Sequence, residues 1–123
     1  MNDTEKNGSA EDYLKSILMI QEQNGFARSV DVARALGVTR PSVCNAMKRL
    51  REKDLIYIGE KGHILFTDTG KAIAEKIHRK HMLLKEALIR IGVSEQTAAE
   101  EACRIEHVIG DETYACLSAK LGG

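Results

Sequence analysis

Proline occurs once in the 123 residues and tryptophan not at all, and the aromatic share is only 4%. So few prolines and aromatics argue against a many-stranded sandwich. Helices with short connections, packed by Leu, Ile, Val, Ala and Met, are the expectation. An excess of charge of either sign is also missing: 18 Lys and Arg balance 18 Asp and Glu. Nucleic acid would have to be held by a local basic patch rather than by bulk charge. No apolar run approaches the ~20 residues of a membrane span, and the polar N-terminus is no signal peptide. Cys44, Cys103 and Cys116 are odd in number and lack CxxC spacing, which points to reduced thiols. The sequence shows neither a Gly-rich phosphate loop nor an activating motif around a nucleophile, so an enzyme is not expected. The expectation is a soluble, cytoplasmic protein with no membrane partner.

At 43% hydrophobic residues the chain can build one compact domain, or two small ones that share a core. Residues 1–8 are polar and read as a flexible tail. Ser9 is placed to cap a helix whose first turn carries Glu11 and Asp12, and Tyr13, Leu14, Ile17, Leu18 and Ile20 give it an apolar stripe. Asn24-Gly25 closes it. Ser29 then caps a short helix burying Val32, Ala33 and Leu36. Gly37 supplies a turn, and Thr39 caps a third helix with Pro41 in its first turn. On that third helix Val43, Met47 and Leu50 face inward, whereas Ser42, Asn45, Lys48 and Arg49 face out. Two helices joined at a glycine turn, the second polar and basic outside, form the helix-turn-helix pattern, although an ordinary helical hairpin shares it.

The next residues sharpen that reading. Leu55–Ile58 and His63–Thr67 are β-branched or aromatic runs around Gly59-Glu60-Lys61-Gly62, hence a hairpin with Lys61 at its tip. A hairpin directly after a recognition helix is a wing. With Lys48, Arg49, Arg51, Lys53 and Lys61 it concentrates positive charge in an otherwise neutral chain. His63 reads as plain wing surface. Asp68 or Thr69 caps a long helix from about residue 70 to Ile91, ended by Gly92. Ser94 starts the next helix, and a last one runs from Thr113 to about Leu121. The expected class is mainly α: a winged helix-turn-helix over residues 9–70, then a helical dimerisation domain over 71–123. Exposed apolar surface on the last three helices suits pairing with a second copy.

Within that second half, Cys103, Glu106 and His107 stand at i, i+3 and i+4, so on a helix they leave from one face. A thiol, a carboxylate and an imidazole suit a first-row divalent transition metal better than Mg²⁺ or Ca²⁺. A small buried Cys, a capped Glu and a satisfied His give the same spacing without a metal, and a fourth ligand must come from elsewhere. Cys44 and Cys116 read as small packing residues.

Taken together, Glu11-Asp12-Tyr13-Leu14-Lys15, the winged helix-turn-helix, Arg79-Lys80-His81-Met82-Leu83-Leu84 and the run from Glu101 to Glu112 resemble the DtxR/MntR family of metal-dependent transcriptional repressors. The resemblance covers about residues 10–122. It implies a homodimer that binds double-stranded operator DNA when loaded with Mn²⁺ or Fe²⁺, with Zn²⁺ or Co²⁺ also able to bind in vitro. It places Asp12, Cys103, Glu106 and His107 in the principal metal site. Asp12 is typical of the manganese branch and Cys103 of the iron branch, and manganese is favoured. His81 matches a ligand of a second site whose companions depart here: Lys15 stands for a Glu, and Lys85 and Ala99 for an acid and a His. Thr39, Pro41, Ser42 and Asn45 align with positions that approach DNA. Charge and helical face add Arg40, Lys48, Arg49 and Lys61. The chain stops at Gly123, so the SH3-like third domain of longer relatives is expected to be absent. The alternative function is a metal-independent winged-helix regulator in which Cys103 senses oxidation.

Overall fold

A computed structural model of the chain describes residues 3–121, with backbone alone for residues 3–9. The element order is α1 (Asp3–Asn24), α2 (Ser29–Leu36), α3 (Arg40–Glu52), β1 (Ile56–Ile58), a single 3₁₀ turn (Glu60–Gly62), β2 (Ile64–Phe66), α4 (Asp68–Arg90), α5 (Glu95–Ile105) and α6 (Asp111–Leu121). Two compact units result, residues 1–75 and 76–123, and the division falls within α4.

The first unit is organised around the apolar stripe of α1. Leu14, Ile17 and Leu18 are buried together with Val32 of α2, Val43, Ala46, Met47 and Leu50 of α3, and Ile56 and Ile64 of the hairpin. Each such side chain contributes about 1.5–3 kcal/mol when fully buried. The hairpin strands pair antiparallel, Ile56 with Phe66, Tyr57 with Leu65 and Ile58 with Ile64. Because the side-chain period of a strand is two, Ile56 and Ile64 enter the core while Tyr57 and Leu65 stay exposed. At the hairpin tip Lys61 adopts a left-handed conformation, φ 63° and ψ 17°. Between α2 and α3, Gly37 is left-handed (φ 67°), and its N–H closes α2 on the Ala33 carbonyl.

Several expected helix ends move. α1 begins at Asp3, so residues 3–8 of the expected tail are helical and Ser9 lies inside the helix; Met1 and Asn2 lie outside the described residues. One glycine, Gly8, costs only about 1 kcal/mol inside a helix. Arg28, not Ser29, is the N-cap of α2, where the Asp31 carboxylate accepts the Arg28 backbone N–H at 3.0 Å. Thr67 caps α4 in place of Asp68 or Thr69: its Oγ1 accepts the Gly70 N–H at 3.1 Å and donates to the Asp54 carbonyl at 2.8 Å. Ile91 lies beyond α4 and is 78% exposed. Cys44 and Cys116 are exposed rather than packed, because Val43, Ala46 and Met47 take the inward face of α3 and α6 buries no residue fully.

In the second unit the buried residues are Ile77, Leu84, Ala98 and Ala102, with two polar ones, Lys80 and Glu106. Polar contacts fasten α6 and the turn before it to α4. Lys76 Nζ donates to Asp111 at 2.9 Å, Arg79 Nε to the Tyr114 hydroxyl at 3.3 Å, and Lys80 Nζ to the Ile109 carbonyl at 3.4 Å. Met82, Ile89, Ile91 and Val108 are exposed apolar residues of this unit.

Candidate metal centre and DNA-binding surface

Two features position the donor cluster of the second unit. Ser94 caps α5 by accepting the Thr97 N–H at 3.3 Å, and Ala98 and Ala102 are fully buried on its inner face. Cys103 sits in its last turn. The helix ends at Ile105: Glu106 is the C-cap, still right-handed, with its N–H on the Ala102 carbonyl, and the Val108 and Ile109 amides fold back onto the Ile105 carbonyl. The single helical face expected for Cys103, Glu106 and His107 is therefore corrected. Cys103 is helical, whereas His107 lies in the turn beyond. The chain winds up here because both amides converge on one carbonyl, just ahead of Gly110.

Glu106 is the centre of the arrangement. It is 0% exposed, with Oε1 2.8 Å from His81 Nδ1 and Oε2 3.6 Å from His107 Nε2. The shorter contact is within hydrogen-bond distance, and the role of the His81 ring nitrogen in it is set by the imidazole tautomer. Donor atoms of His81, Cys103 and Glu106 all lie within 4.8 Å of one another. A carboxylate buried this deeply demands charged or hydrogen-bonding company, and here it has two imidazoles and a nearby thiol. Oxygen, nitrogen and sulfur donors together fit a first-row divalent transition metal. Asp12 stands on α1 of the other unit, half-buried, one turn before the buried Lys15.

The DNA-facing candidates all belong to the first unit. Thr39 caps α3, its Oγ1 accepting the Ser42 N–H at 3.2 Å and donating to Ser42 Oγ at 3.0 Å, and Pro41 occupies the first turn, where its missing N–H is harmless. Thr39, Arg40, Pro41, Ser42, Asn45, Lys48 and Arg49 are exposed along α3 and at its start, and Lys61 is exposed at the hairpin tip. His63 is not plain surface. It is half-buried, its ring stacks on Phe26 at 4.7 Å between centroids, and its Nε2 is enclosed without a hydrogen-bond partner. The Arg28 guanidinium stands 5.0 Å from the Phe26 centroid. Sequence reasoning passed over this stack. Its signal was the Phe26-Ala27-Arg28 alternation, which puts the ring and the guanidinium on one side of an extended segment.

The winged helix-turn-helix, followed by a helical unit holding a buried mixed-donor cluster, defines a metal-responsive class of DNA-binding regulator. Comparison with known proteins agrees in both halves. Residues 7–64 match the description "Iron dependent repressor, N-terminal DNA binding domain", and residues 67–123 match "Iron dependent repressor, metal binding and dimerisation domain". The chain belongs to this family, the DtxR/MntR family of metal-dependent repressors. It is 39% identical over 108 residues to an uncharacterised HTH-type transcriptional regulator of Methanocaldococcus jannaschii, covering 85% of each chain. To the HTH-type transcriptional regulator MntR of Bacillus subtilis it is 38% identical over 100 residues, 80% of this chain and 70% of that one. A solved manganese-dependent transcriptional repressor in complex with manganese superposes with TM-score 0.79 and 30% identity, over 92% of this chain and 52% of the other. The chain thus spans about half the length of that solved relative.

Proposed function

We propose that this chain is a metal-dependent transcriptional repressor that binds double-stranded operator DNA as a homodimer when loaded with a divalent transition metal, Mn²⁺ or Fe²⁺, and so controls metal homeostasis in the cytoplasm. One observation carries the reading: the chain that exposes the basic recognition helix and wing also buries the Glu106 carboxylate among His81, Cys103 and His107. Manganese is supported by the solved relative bound to it, and iron by the family's description. Cys103 adds a soft donor that also accepts Zn²⁺ or Co²⁺ in vitro. Two copies are supported by the exposed Met82, Ile89, Ile91 and Val108 in the half that matches a dimerisation domain. No helix among the described residues is long and apolar enough to cross a membrane.

In this reading His81, Cys103, Glu106 and His107 hold the ion together with Asp12, which the family resemblance supplies from α1. When bound, the metal supplies a divalent charge that the carboxylates and the thiolate share. Glu106 orients both imidazoles, and buried Ala98 and Ala102 hold α5 in place beneath Cys103. Thr39 fixes the start of α3, so that Ser42, Asn45, Lys48 and Arg49 meet the major groove in one register. The ligands respond to metal by favouring the DNA-competent arrangement, to the extent of their differential affinity. DNA tightens metal binding by the same factor.

The test is fluorescence anisotropy on DNA from upstream of the protein's own gene, in chelator and then in Mn²⁺, anaerobic Fe²⁺ or Zn²⁺. Binding only with metal, abolished by Asp12→Ala in a protein of unchanged fold, is the expected result. Equal binding in chelator sinks the metal requirement. A response to peroxide in metal-free protein would instead favour Cys103 as a redox sensor.

A further inference from the structure

The segment leading into α2 is joined to the wing by contacts that none of the DNA-facing residues above uses. The Ile64 N–H donates to the Ala27 carbonyl at 2.8 Å, and Gln21 Nε2 donates to the Ile64 carbonyl at 2.9 Å. Ala27 and Ile64 are both fully buried, so this end of the wing is anchored in the core. Flanking the buried Ala27, Phe26 and Arg28 are both exposed. The Phe26 ring lies nearly parallel to the imidazole of His63, at 10° and 4.7 Å, and stays 38% exposed. The Arg28 guanidinium rests 5.0 Å from the centroid of that ring. Arg28 is exposed, and among the described residues no carboxylate lies within 4.0 Å of its guanidinium. Asp31 accepts the Arg28 backbone N–H and so neutralises the positive end of α2, which leaves the guanidinium as the anion-seeking group at this corner.

We propose that Arg28 contacts a phosphate of the DNA duplex, and that the Phe26–His63 stack ties this contact to the wing so that Arg28 and Lys61 hold the backbone from one rigid piece. The inference rests on the DNA-binding reading above. A planar guanidinium with no carboxylate beside it matches a phosphate in bidentate geometry. The aromatic platform orders a side chain that otherwise loses much rotamer freedom on binding. Duplex DNA is the partner because the same unit exposes Arg40, Lys48, Arg49 and Lys61.

The experiment measures binding of the Mn²⁺-loaded protein to its own upstream duplex and to a scrambled duplex of equal length, over a range of KCl. Wild type is compared with Arg28→Gln, Arg28→Lys and Phe26→Leu. Neutralising one phosphate fewer, Arg28→Gln lowers the slope of log K against log [KCl] by about 0.9 on both duplexes. Arg28→Lys keeps the charge and restores the slope. Phe26→Leu also keeps the charge, so its slope stays at the wild-type value, but binding weakens at every salt concentration. Circular dichroism melts check that each variant folds. Wild-type slope and affinity in Arg28→Gln overturn the phosphate contact, and wild-type affinity in Phe26→Leu overturns the platform. A wild-type protein that binds neither duplex overturns the DNA-binding reading itself, a result distinct from a null effect confined to the variants.

Discussion

Glu106→Gln keeps the shape of the side chain and removes its charge, which makes it the sharpest probe of the donor cluster. The wild-type carboxylate is fully buried, with one oxygen 2.8 Å from His81 and the other 3.6 Å from His107. Without metal two effects oppose each other. The variant loses a charge-assisted hydrogen bond, worth about 1.5–3 kcal/mol, but is also relieved of desolvating a carboxylate. The metal-dependent part is cleaner. Free Mn²⁺ at about one hundred times the dissociation constant stabilises a protein that binds it only when folded by about 2.7 kcal/mol. For 123 residues the unfolding entropy is about 0.26 kcal/mol/K, so the wild-type melting temperature rises by roughly 10 °C. A hundredfold weaker site in the variant brings the ratio of metal to dissociation constant to about one. That leaves about 0.4 kcal/mol, or under about 2 °C. Differential scanning calorimetry at matched Mn²⁺ and in chelator reads both numbers. A Glu106→Gln variant that still gains the full wild-type shift would refute the assignment of this carboxylate to the metal site.

Two further predictions concern the frame around the sites. Gly70→Ala ought to gain about 1 kcal/mol from helix propensity alone, yet its new Cβ would lie 1.8 Å from the Leu55 carbonyl oxygen and 2.7 Å from its carbon. Backbone cannot yield cheaply there, so urea unfolding should show a net loss of up to about 2 kcal/mol, and a stabilised variant would contradict this packing. Asp111 is held below the usual carboxylate range, first by its hydrogen bond from Lys76 and then by the charge of the same lysine. A depressed folded value means that the pair stabilises above the unfolded carboxylate pKa of about 3.9 and is lost as pH falls through the folded one. Asp111→Asn should therefore be slightly less stable than wild type at neutral pH and match it in strong acid. A difference that persists undiminished in strong acid would disprove the linkage.

Helix-forming periodicity, caps and the glycine turn made the helical class and the winged element readable in advance, because each is a local pattern with a local cause. Thr39, Pro41 and Gly37 occupy the places their chemistry dictates. The misplaced caps at Ser9, Ser29 and Asp68 or Thr69 have another origin. A capping side chain competes with its neighbours, and Asp31 and Thr67 win through partners that spacing alone does not rank. At the donor cluster the sequence supplied the residues but not their grouping. His81 lies 25 residues from Glu106 and meets it only through the fold, while the end of α5 at Ile105 separates His107 from the helix that carries Cys103. The stack of Phe26 on His63 was invisible for the same reason: its members are 37 positions apart, and only the pairing of Ile64 with Ala27 brings them together.

Lys61 holds a backbone conformation that glycine adopts freely and that costs an L-residue roughly 1–2 kcal/mol. A chain shaped by folding alone would have little reason to keep a long cationic side chain there. On the proposal that Lys61 holds a DNA phosphate, thermal robustness and operator affinity would pull this one position in opposite directions. A library screened only for survival of heating should enrich small left-handed residues at 61, returning proteins that are sturdier and deafer to DNA. On that proposal, the left-handed backbone at the hairpin tip would be a trace of DNA binding left in the fold itself.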